Sequence, residues 1–299
     1  MVTNVPESVT PKPLYVAKDH LQAFLPPDRI TLRDVRARSA SPSLVYQSGK
    51  MFAVGDFLIN YAYVVSPKMG VKFVDVTGDE NMIHRTSDIV AGALTASKVI
   101  LPLEIVFPAL RINSAKVKFT NFSHYNVRIT STFRVRFVSE DRIRVQVTAY
   151  QNDAQIAESQ IDGTVLSEPL RSARVNEKKV KEEQLEVVRE YFDACNIMSE
   201  AYFQKEGFRD YTYPFAYVAS LPSAAIVREL RGQGGMLNVL TLKFEDEEKI
   251  PIGPNATPQV RIEEGRGLSA FRRIITDVID GVITYYKGSA IVNPDSGVL

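Results

Sequence analysis

Apolar residues recur at two different spacings along this chain, and the two spacings predict two kinds of element. Between residues 127 and 149 they alternate with polar residues, as at Phe133 and Val135, which is the period of a half-buried strand. The alternation is interrupted by a turn near Ser139–Asp141, and Ile156–Leu166 predicts a further strand after the turn "QNDA". Together these segments indicate an antiparallel meander.

A helix buried on all sides is predicted ahead of the meander, over Asp88–Ile100, "DIVAGALTASKVI". Its apolar and small residues run almost all round a helical wheel, so no face is left for water. Further upstream, Gly55–Asp75 predicts a strand, a break at Ser66–Pro67 and then a second apolar segment.

The second half of the chain repeats this order. Leu185, Val188 and Phe192 recur at helical spacing, and Tyr217–Leu230 predicts another compact apolar helix in which Pro222 belongs in the first turn. Three strands are expected after it, one over "MLNVLTLKF" and two around a turn at Asp280–Gly281. The segments "KVKF" at 116–119 and "TLKF" at 241–244 lie about 125 residues apart, which indicates a duplicated unit.

A helix wrapped by an antiparallel sheet is the hot-dog architecture. We therefore expect an α+β fold of two tandem hot-dog units that form a pseudo-dimer, because two such sheets joined edge to edge protect an edge strand on each. The predicted division is a proline-dense extended arm over 1–50, an N-terminal unit over 51–166, a charged linker over 167–184 and a C-terminal unit over 185–299.

The amino-acid composition limits which partners and which cellular location are expected. The net charge of +1 gives no reason to expect nucleic acid or anionic membranes as partners. Cys195 is the only cysteine, so no internal disulfide is possible and a reducing compartment fits. The first residues lack the pattern of a signal peptide, and no stretch approaches the roughly 20 apolar residues that span a bilayer. A cytoplasmic location is expected.

The stretch "TGDENMIH" holds the candidate chemistry, since the chain has only three histidines and one of them, His84, closely follows Asp79. An imidazole and a carboxylate in one pocket can hold a water and move its protons, and the ordinary pKa of histidine, near 6.5, suits that work. The backbone N–H of Gly92, near the start of the buried helix, could polarise a substrate oxygen. The alternative is that the turn only caps backbone groups and that His84 is a packing residue.

The wider segment "FVDVTGDENMIH" resembles the signature of the MaoC-like dehydratases, the family of (R)-specific enoyl-CoA hydratases. Met82 stands where that family has proline. The following "IVAGALTAS", Ile89–Ser97, is similar to the family segment at the mouth of the hot-dog helix, but it lies closer to His84 than is usual, so the family's overhanging segment is shortened here. The residues that match the signature are Phe73, Thr77, Gly78, Asp79, Asn81, Ile83 and His84.

The resemblance implies a hydro-lyase. Asp79 and His84 would activate a water for syn addition to an α,β-unsaturated thioester of CoA or acyl carrier protein, or would dehydrate an (R)-3-hydroxyacyl thioester. The Gly92 N–H would polarise the thioester carbonyl, Asn81 would brace the turn, and Asn81, Gly92 and Ser97 would together form the substrate-binding set. The family chemistry uses no metal, no cofactor and no covalent intermediate.

No histidine follows His124, so the second unit cannot repeat the Asp/His pair, and one active site per chain is expected. In the related two-unit eukaryotic hydratases the pair lies in the C-terminal unit, whereas here it lies in the N-terminal one. Two alternatives stay open: a non-catalytic acyl-thioester-binding or partner subunit, motivated by Met82 and the shortened segment, and a hot-dog thioesterase. A homodimer of two such chains is compatible with either.

Overall fold

A computed structural model describes residues 57–79, 81, 83–107, 110–166, 182–197, 213–229, 236–244, 259–265, 272–280 and 283–293. The predicted arm over 1–50 and most of the predicted linker lie outside these residues. Helix α4 begins at Glu182, inside the predicted linker. The first half contains β1 Phe57–Val64, α1 Pro67–Thr77, α2 Ile83–Thr86, α3 Gly92–Val106, β2 Leu110–Phe119, β3 Arg128–Val138, β4 Arg142–Gln151 and β5 Ala154–Val165. The second half contains α4 Glu182–Ala194, α5 Phe215–Glu229, β6 Met236–Phe244, β7 Gln259–Gly265, β8 Arg272–Asp280 and β9 Ile283–Asn293.

The second apolar segment of the N-terminal half is a helix, α1. Ser66 has extended backbone angles and accepts a hydrogen bond from the Met69 N–H at 3.3 Å, while Pro67 occupies the first turn. Both are favoured ways to begin a helix, because they satisfy or remove donors that lack partners within the helix. The residues that α1 buries have helical spacing, namely Gly70, Phe73, Val74 and Thr77.

Helix α3 is the centre of the fold. Every residue from Ala93 to Val106 is buried, which agrees with the prediction of a helix without a solvent face. The strands wrap it with alternating inward and outward side chains, as the meander pattern predicts.

Helix α5 is the corresponding buried helix of the second half. It begins at Phe215, so Pro222 lies in its interior and not in the first turn, and that expectation is wrong. A proline inside a helix costs about 3 kcal/mol. Burial of the surrounding residues from Ala216 to Val227, with Leu221 partly exposed, outweighs that cost.

The nine strands within the described ranges form one sheet in the order β1-β3-β4-β5-β2-β6-β9-β8-β7, and every neighbouring pair is antiparallel. The order β3-β4-β5-β2 in the first half is mirrored by β7-β8-β9-β6 in the second. The halves join through β2 and β6, where Lys116 pairs with Thr241 and Val117 with Leu240. Lys116 and Thr241 each begin one of the two similar segments, so a residue pairs with its own counterpart, as a pseudo-twofold axis requires.

Candidate active site

The end of helix α1 determines where Asp79 lies. Gly78 adopts φ 69° and ψ 27°, a left-handed conformation that glycine tolerates best, and its N–H donates to the carbonyl of Val74. The Asp79 N–H donates to the same carbonyl at 3.0 Å. This closes the helix, and the Asp79 side chain is directed into the protein, where the residue is only 1% exposed.

A short turn then connects Asp79 to His84. One carboxylate oxygen of Asp79 accepts from the Asn81 N–H at 3.0 Å. Asn81 in turn accepts from the Ile83 N–H at its side-chain oxygen, at 3.2 Å, and from the His84 N–H at its backbone carbonyl, at 3.1 Å. Asn81 is therefore the cap of the short helix α2 and holds His84 one turn beyond the aspartate. Met82 lies outside the described residues.

The other oxygen of Asp79 contacts the second half of the protein. Oδ2 accepts a hydrogen bond from the Ser223 hydroxyl of helix α5 at 3.3 Å, and both residues are buried. Ser223 is not among the site residues predicted from the sequence. Its only signal was a small polar residue inside an apolar helix, and nothing local relates it to a residue 144 positions away.

His84 is partly buried next to this carboxylate. Its Nδ1 lies 3.4 Å from the carbonyl oxygen of Ile89. Burial lowers the pKa of His84, and the negative charge of Asp79 and the Ile89 carbonyl oppose part of that shift. The imidazole is consequently neutral near pH 7. With a proton on Nδ1 facing the carbonyl, Nε2 is the basic nitrogen.

Tyr125 borders the same pair. Its hydroxyl donates to the backbone carbonyl of His84 at 3.1 Å. Burial and, second, the charge of Asp79 raise the pKa of Tyr125, so the phenol is neutral and acts as a donor. Tyr125 is not among the predicted site residues either.

The N-terminus of helix α3 lies three residues beyond Ile89. Its N-cap residue is Ala91, which has no side chain able to accept a hydrogen bond, so the first N–H groups of the helix receive no side-chain cap. A Cβ at Gly92 would lie 3.5 Å from the ring of Phe119, an ordinary contact, so packing alone does not demand glycine there.

Ser97 is directed elsewhere. Its hydroxyl donates to the Ala93 carbonyl of its own helix at 2.8 Å, and it lies beside Tyr191 of helix α4. Within the part of the chain that the structure describes, Ser97 makes no hydrogen bond to Asp79 or His84. The predicted site residues that converge are therefore Asp79, Asn81 and His84, with Gly92 near them in sequence.

The second half has a corresponding set of positions with different chemistry. Helix α4 ends as α1 does: the Ile197 N–H donates to the Phe192 carbonyl at 3.0 Å, and Asn196 has φ 50°. Asn196 thus corresponds to Gly78, and the buried, apolar Ile197 corresponds to Asp79.

The N-terminus of helix α5, unlike that of α3, is capped by a side chain. The carboxylate of Glu104, which belongs to α3 and is 1% exposed, accepts from the Phe215 N–H at 3.0 Å and from the Ala216 N–H at 2.9 Å. A carboxylate at a helix N-terminus satisfies two free donors and complements the helix dipole. The first N–H groups of α5 thus donate to a side chain of the protein, whereas those of α3 receive no side-chain cap.

Over the described ranges, no group of three or more His, Cys, Asp and Glu side chains is arranged to hold a metal ion. Cys195 is buried, as its apolar surroundings predict, and burial raises the pKa of its thiol to about 12. None of the helices within those ranges combines the length and apolar character that crossing a membrane requires.

No protein-family model matches the sequence, and no curated protein matches it. Solved structures match it by fold. A MaoC-like dehydratase superposes with a TM-score of 0.56 and 7% identity, over 80% of this chain and 98% of that chain. A MaoC-like dehydratase from Phytophthora capsici gives 0.55 and 11%, over 80% and 96%. HtdX from Mycobacterium tuberculosis gives 0.52 and 11%, over 78% and 97%.

These similarities cover nearly the whole of each matched structure at very low sequence identity, so they establish the fold. They do not establish the chemistry, which has to be argued from the residues of this chain. The chain has the double hot-dog fold of the MaoC-like dehydratases.

Proposed function

We propose that the protein is a hydro-lyase that hydrates enoyl thioesters with (R) specificity and catalyses the reverse dehydration of 3-hydroxyacyl thioesters. The observation that carries the proposal is the buried carboxylate of Asp79 beside a neutral, partly buried imidazole of His84. A dyad of this kind performs general acid–base catalysis on a bound water.

In hydration, the Nε2 of His84 accepts a proton from water while the water oxygen bonds to C3 of the enoyl group. Asp79 orients the water and stabilises the imidazolium that forms. The same imidazolium then returns a proton to C2, so one water is added in full. Because both transfers pass through one dyad on one face of the substrate, the addition is syn.

The negative charge that develops on the thioester oxygen needs a donor. We assign that role to the backbone N–H of Gly92, where no side chain competes for it. The positive end of the helix dipole adds to the stabilisation of an enolate-like oxygen. Removal of one such donor typically costs a factor of about 100 to 1,000 in kcat.

The second half supports this site without repeating it. The Ser223 hydroxyl donates to Oδ2 of Asp79 and so helps to fix the orientation of the carboxylate. In the second half, Ile197 occupies the position equivalent to Asp79, and Glu104 caps the N-terminus of α5. Within the described residues, this difference supports one site per chain. The domain limits, a cytoplasmic location and a dimer of two chains stay predictions.

The proposal is tested by incubating the protein with crotonyl-CoA and longer enoyl thioesters, on CoA and on acyl carrier protein. We expect the enoyl absorbance to fall without release of free thiol. Asp79→Asn and His84→Gln should each lower kcat by a factor of about 100 to 10,000. Asp153→Asn is the matched control, because Asp153 is exposed in the turn between β4 and β5, outside the dyad.

Thiol release in the same assay would identify a thioesterase and reject the hydro-lyase. Binding without turnover of any of these thioesters would indicate an acyl-thioester-binding subunit. Full activity of His84→Gln would reject the assigned dyad.

A further inference from the structure

Tyr125, in the connection between β2 and β3, touches the segment that carries His84 at two points. Its hydroxyl donates to the His84 carbonyl at 3.1 Å, and its backbone N–H donates to the Asp88 carbonyl at 2.9 Å. The two carbonyls lie four residues apart and bracket the turn that follows His84. One residue therefore sets the position of both ends of this turn.

The ring of Tyr125 also lies directly on helix α1. A Cβ added to Gly70 would come within 2.0 Å of the Tyr125 hydroxyl oxygen, a separation that no real pair of such atoms adopts. Gly70 is buried on the face of α1 that meets this ring. Because Asp79 follows the end of α1, the ring spans the distance between the helix that positions Asp79 and the backbone of His84.

The residues next to Tyr125 hold in place the backbone carbonyl that faces the imidazole of His84. The Nδ1 of His84 faces the carbonyl of Ile89, and Ile89 forms a β-bridge with His124. The next N–H, that of Val90, donates to the Ser123 carbonyl at 2.8 Å. Residues 123–125 thus hold both the backbone of His84 and the carbonyl that selects its tautomer.

The contact between Nδ1 and the Ile89 carbonyl is long, at 3.4 Å, so it selects a tautomer only while the ring and the carbonyl keep their relative positions. A small displacement of either would allow the proton to move to Nε2, which would leave the dyad without its base. A further contact is therefore needed to keep the imidazole and the Ile89 carbonyl in place. The Tyr125 hydroxyl can provide it, because it donates to the His84 carbonyl.

We propose that Tyr125 is a positioning residue for His84: its hydroxyl keeps Nε2 of the imidazole unprotonated and directed at the substrate. The catalytic consequence rests on the proposed function, whereas the effect on the imidazole does not. Tyr125 itself does not touch the reacting atoms.

The test is Tyr125→Phe, which keeps the ring on Gly70 and removes only the hydroxyl. We expect kcat for enoyl-CoA hydration to fall about tenfold while KM changes by less than about twofold. Tyr150→Phe, at an exposed tyrosine of β4, is the matched control and should behave as wild type.

A spectroscopic readout separates this inference from the proposed function. The chain has three histidines, so selective ¹⁵N labelling gives few signals, and His84→Gln assigns those of His84. At pH 7.5 the wild type should show a protonated Nδ1 and a bare Nε2, and Tyr125→Phe should shift the ring nitrogens toward a mixture of tautomers. This measurement needs no substrate.

A second variant, Gly70→Ala, displaces the ring instead of the hydroxyl. It should reproduce the tautomer shift of Tyr125→Phe, with folding checked by circular dichroism. Unchanged ¹⁵N signals of His84 in Tyr125→Phe would overturn the inference, whatever the activity. A shifted tautomer in a protein that hydrates no enoyl thioester would support the inference and count against the proposed function alone.

Discussion

At the scale of single residues, the two oxygens of Asp79 are held by different halves of the protein. Oδ1 is fixed by the Asn81 N–H, within the turn that the sequence motif covers. Oδ2 is fixed by the Ser223 hydroxyl of helix α5. The first contact could be predicted, because an Asp-x-Asn turn has a known local geometry. The second could not, because only the docking of α5 brings that hydroxyl to the carboxylate.

Ser223→Ala should lower kcat/KM for enoyl-thioester hydration about tenfold, which corresponds to about 1.4 kcal/mol of lost transition-state stabilisation. The physical reason is the loss of one donor to the buried carboxylate of Asp79. Steady-state kinetics measures the effect. The control is Ser220→Ala, since the Ser220 hydroxyl of the same helix donates to the Tyr217 carbonyl and not to Asp79. Equal losses in both variants would contradict the assigned contact.

The pH dependence of kcat follows from the direction in which the pKa of His84 is shifted. Burial lowers that pKa below its usual value near 6.5, so the imidazole remains a neutral base as pH falls to that value. Hydration should hold its rate from about pH 8 to about pH 6.5 and decline below, as His84 becomes protonated. A pH–rate profile of kcat checks this, and an acid limb centred above pH 7 would be inconsistent with it.

At the scale of elements, the ends of the helices distinguish the two halves more than the helices themselves do. Apolar periodicity predicted α3 and α5 well, because both are buried on nearly all sides. It gave no element type for the segment that forms α1, and it did not predict β7 at all. The cap of α5 was also beyond prediction, since Glu104 reaches it from another helix 111 residues away.

Glu104→Gln should lower the free energy of unfolding by about 1 to 3 kcal/mol, because a buried charged acceptor of two helix N–H groups is replaced by an amide with only one acceptor oxygen. Urea or guanidinium unfolding monitored by circular dichroism measures the change. Glu158→Gln, on the half-buried outer side of β5, is the control and should lie within about 0.5 kcal/mol of wild type. A neutral result at Glu104 would mean that the cap does not stabilise α5.

The buried Lys98 of α3 should give stability a distinct dependence on pH. Its ammonium donates to the Cys195 carbonyl, and burial lowers its pKa from 10.5 to about 8. Between these values the unfolded chain binds a proton that the folded protein does not, so the contribution of Lys98 to stability rises from pH 8 to pH 10.5. The full cost of burying the charge is present below pH 8.

Lys98→Met should remove that rise. The difference in unfolding free energy between wild type and Lys98→Met, measured by denaturant at pH 7.5 and pH 10, should move in favour of wild type at the higher pH. Comparison of the two proteins cancels the titration of tyrosines and exposed lysines that they share. A difference that is constant with pH would show that Lys98 keeps an ordinary pKa in the folded protein.

At the scale of the whole molecule, the two halves repeat one unit, and the candidate site within the described residues lies in the first half. The faint similarity of "KVKF" to "TLKF" predicted the duplication, and the pairing of Lys116 with Thr241 places those segments on the pseudo-twofold axis. The spatial arrangement of the halves could not be predicted, because strand order depends on contacts between residues far apart in sequence. That arrangement is what brings Ser223 to Asp79 and Glu104 to α5.

The most direct test of the account is the reverse reaction, with (R)- and (S)-3-hydroxybutyryl-CoA supplied separately. Formation of the enoyl absorbance should occur with the (R) enantiomer only, and Asp79→Asn and His84→Gln should each slow it by a factor of about 100 to 10,000 while circular dichroism shows an intact fold. Equal dehydration of both enantiomers, or dehydration at the wild-type rate in either variant, would contradict an (R)-specific hydro-lyase built on Asp79 and His84.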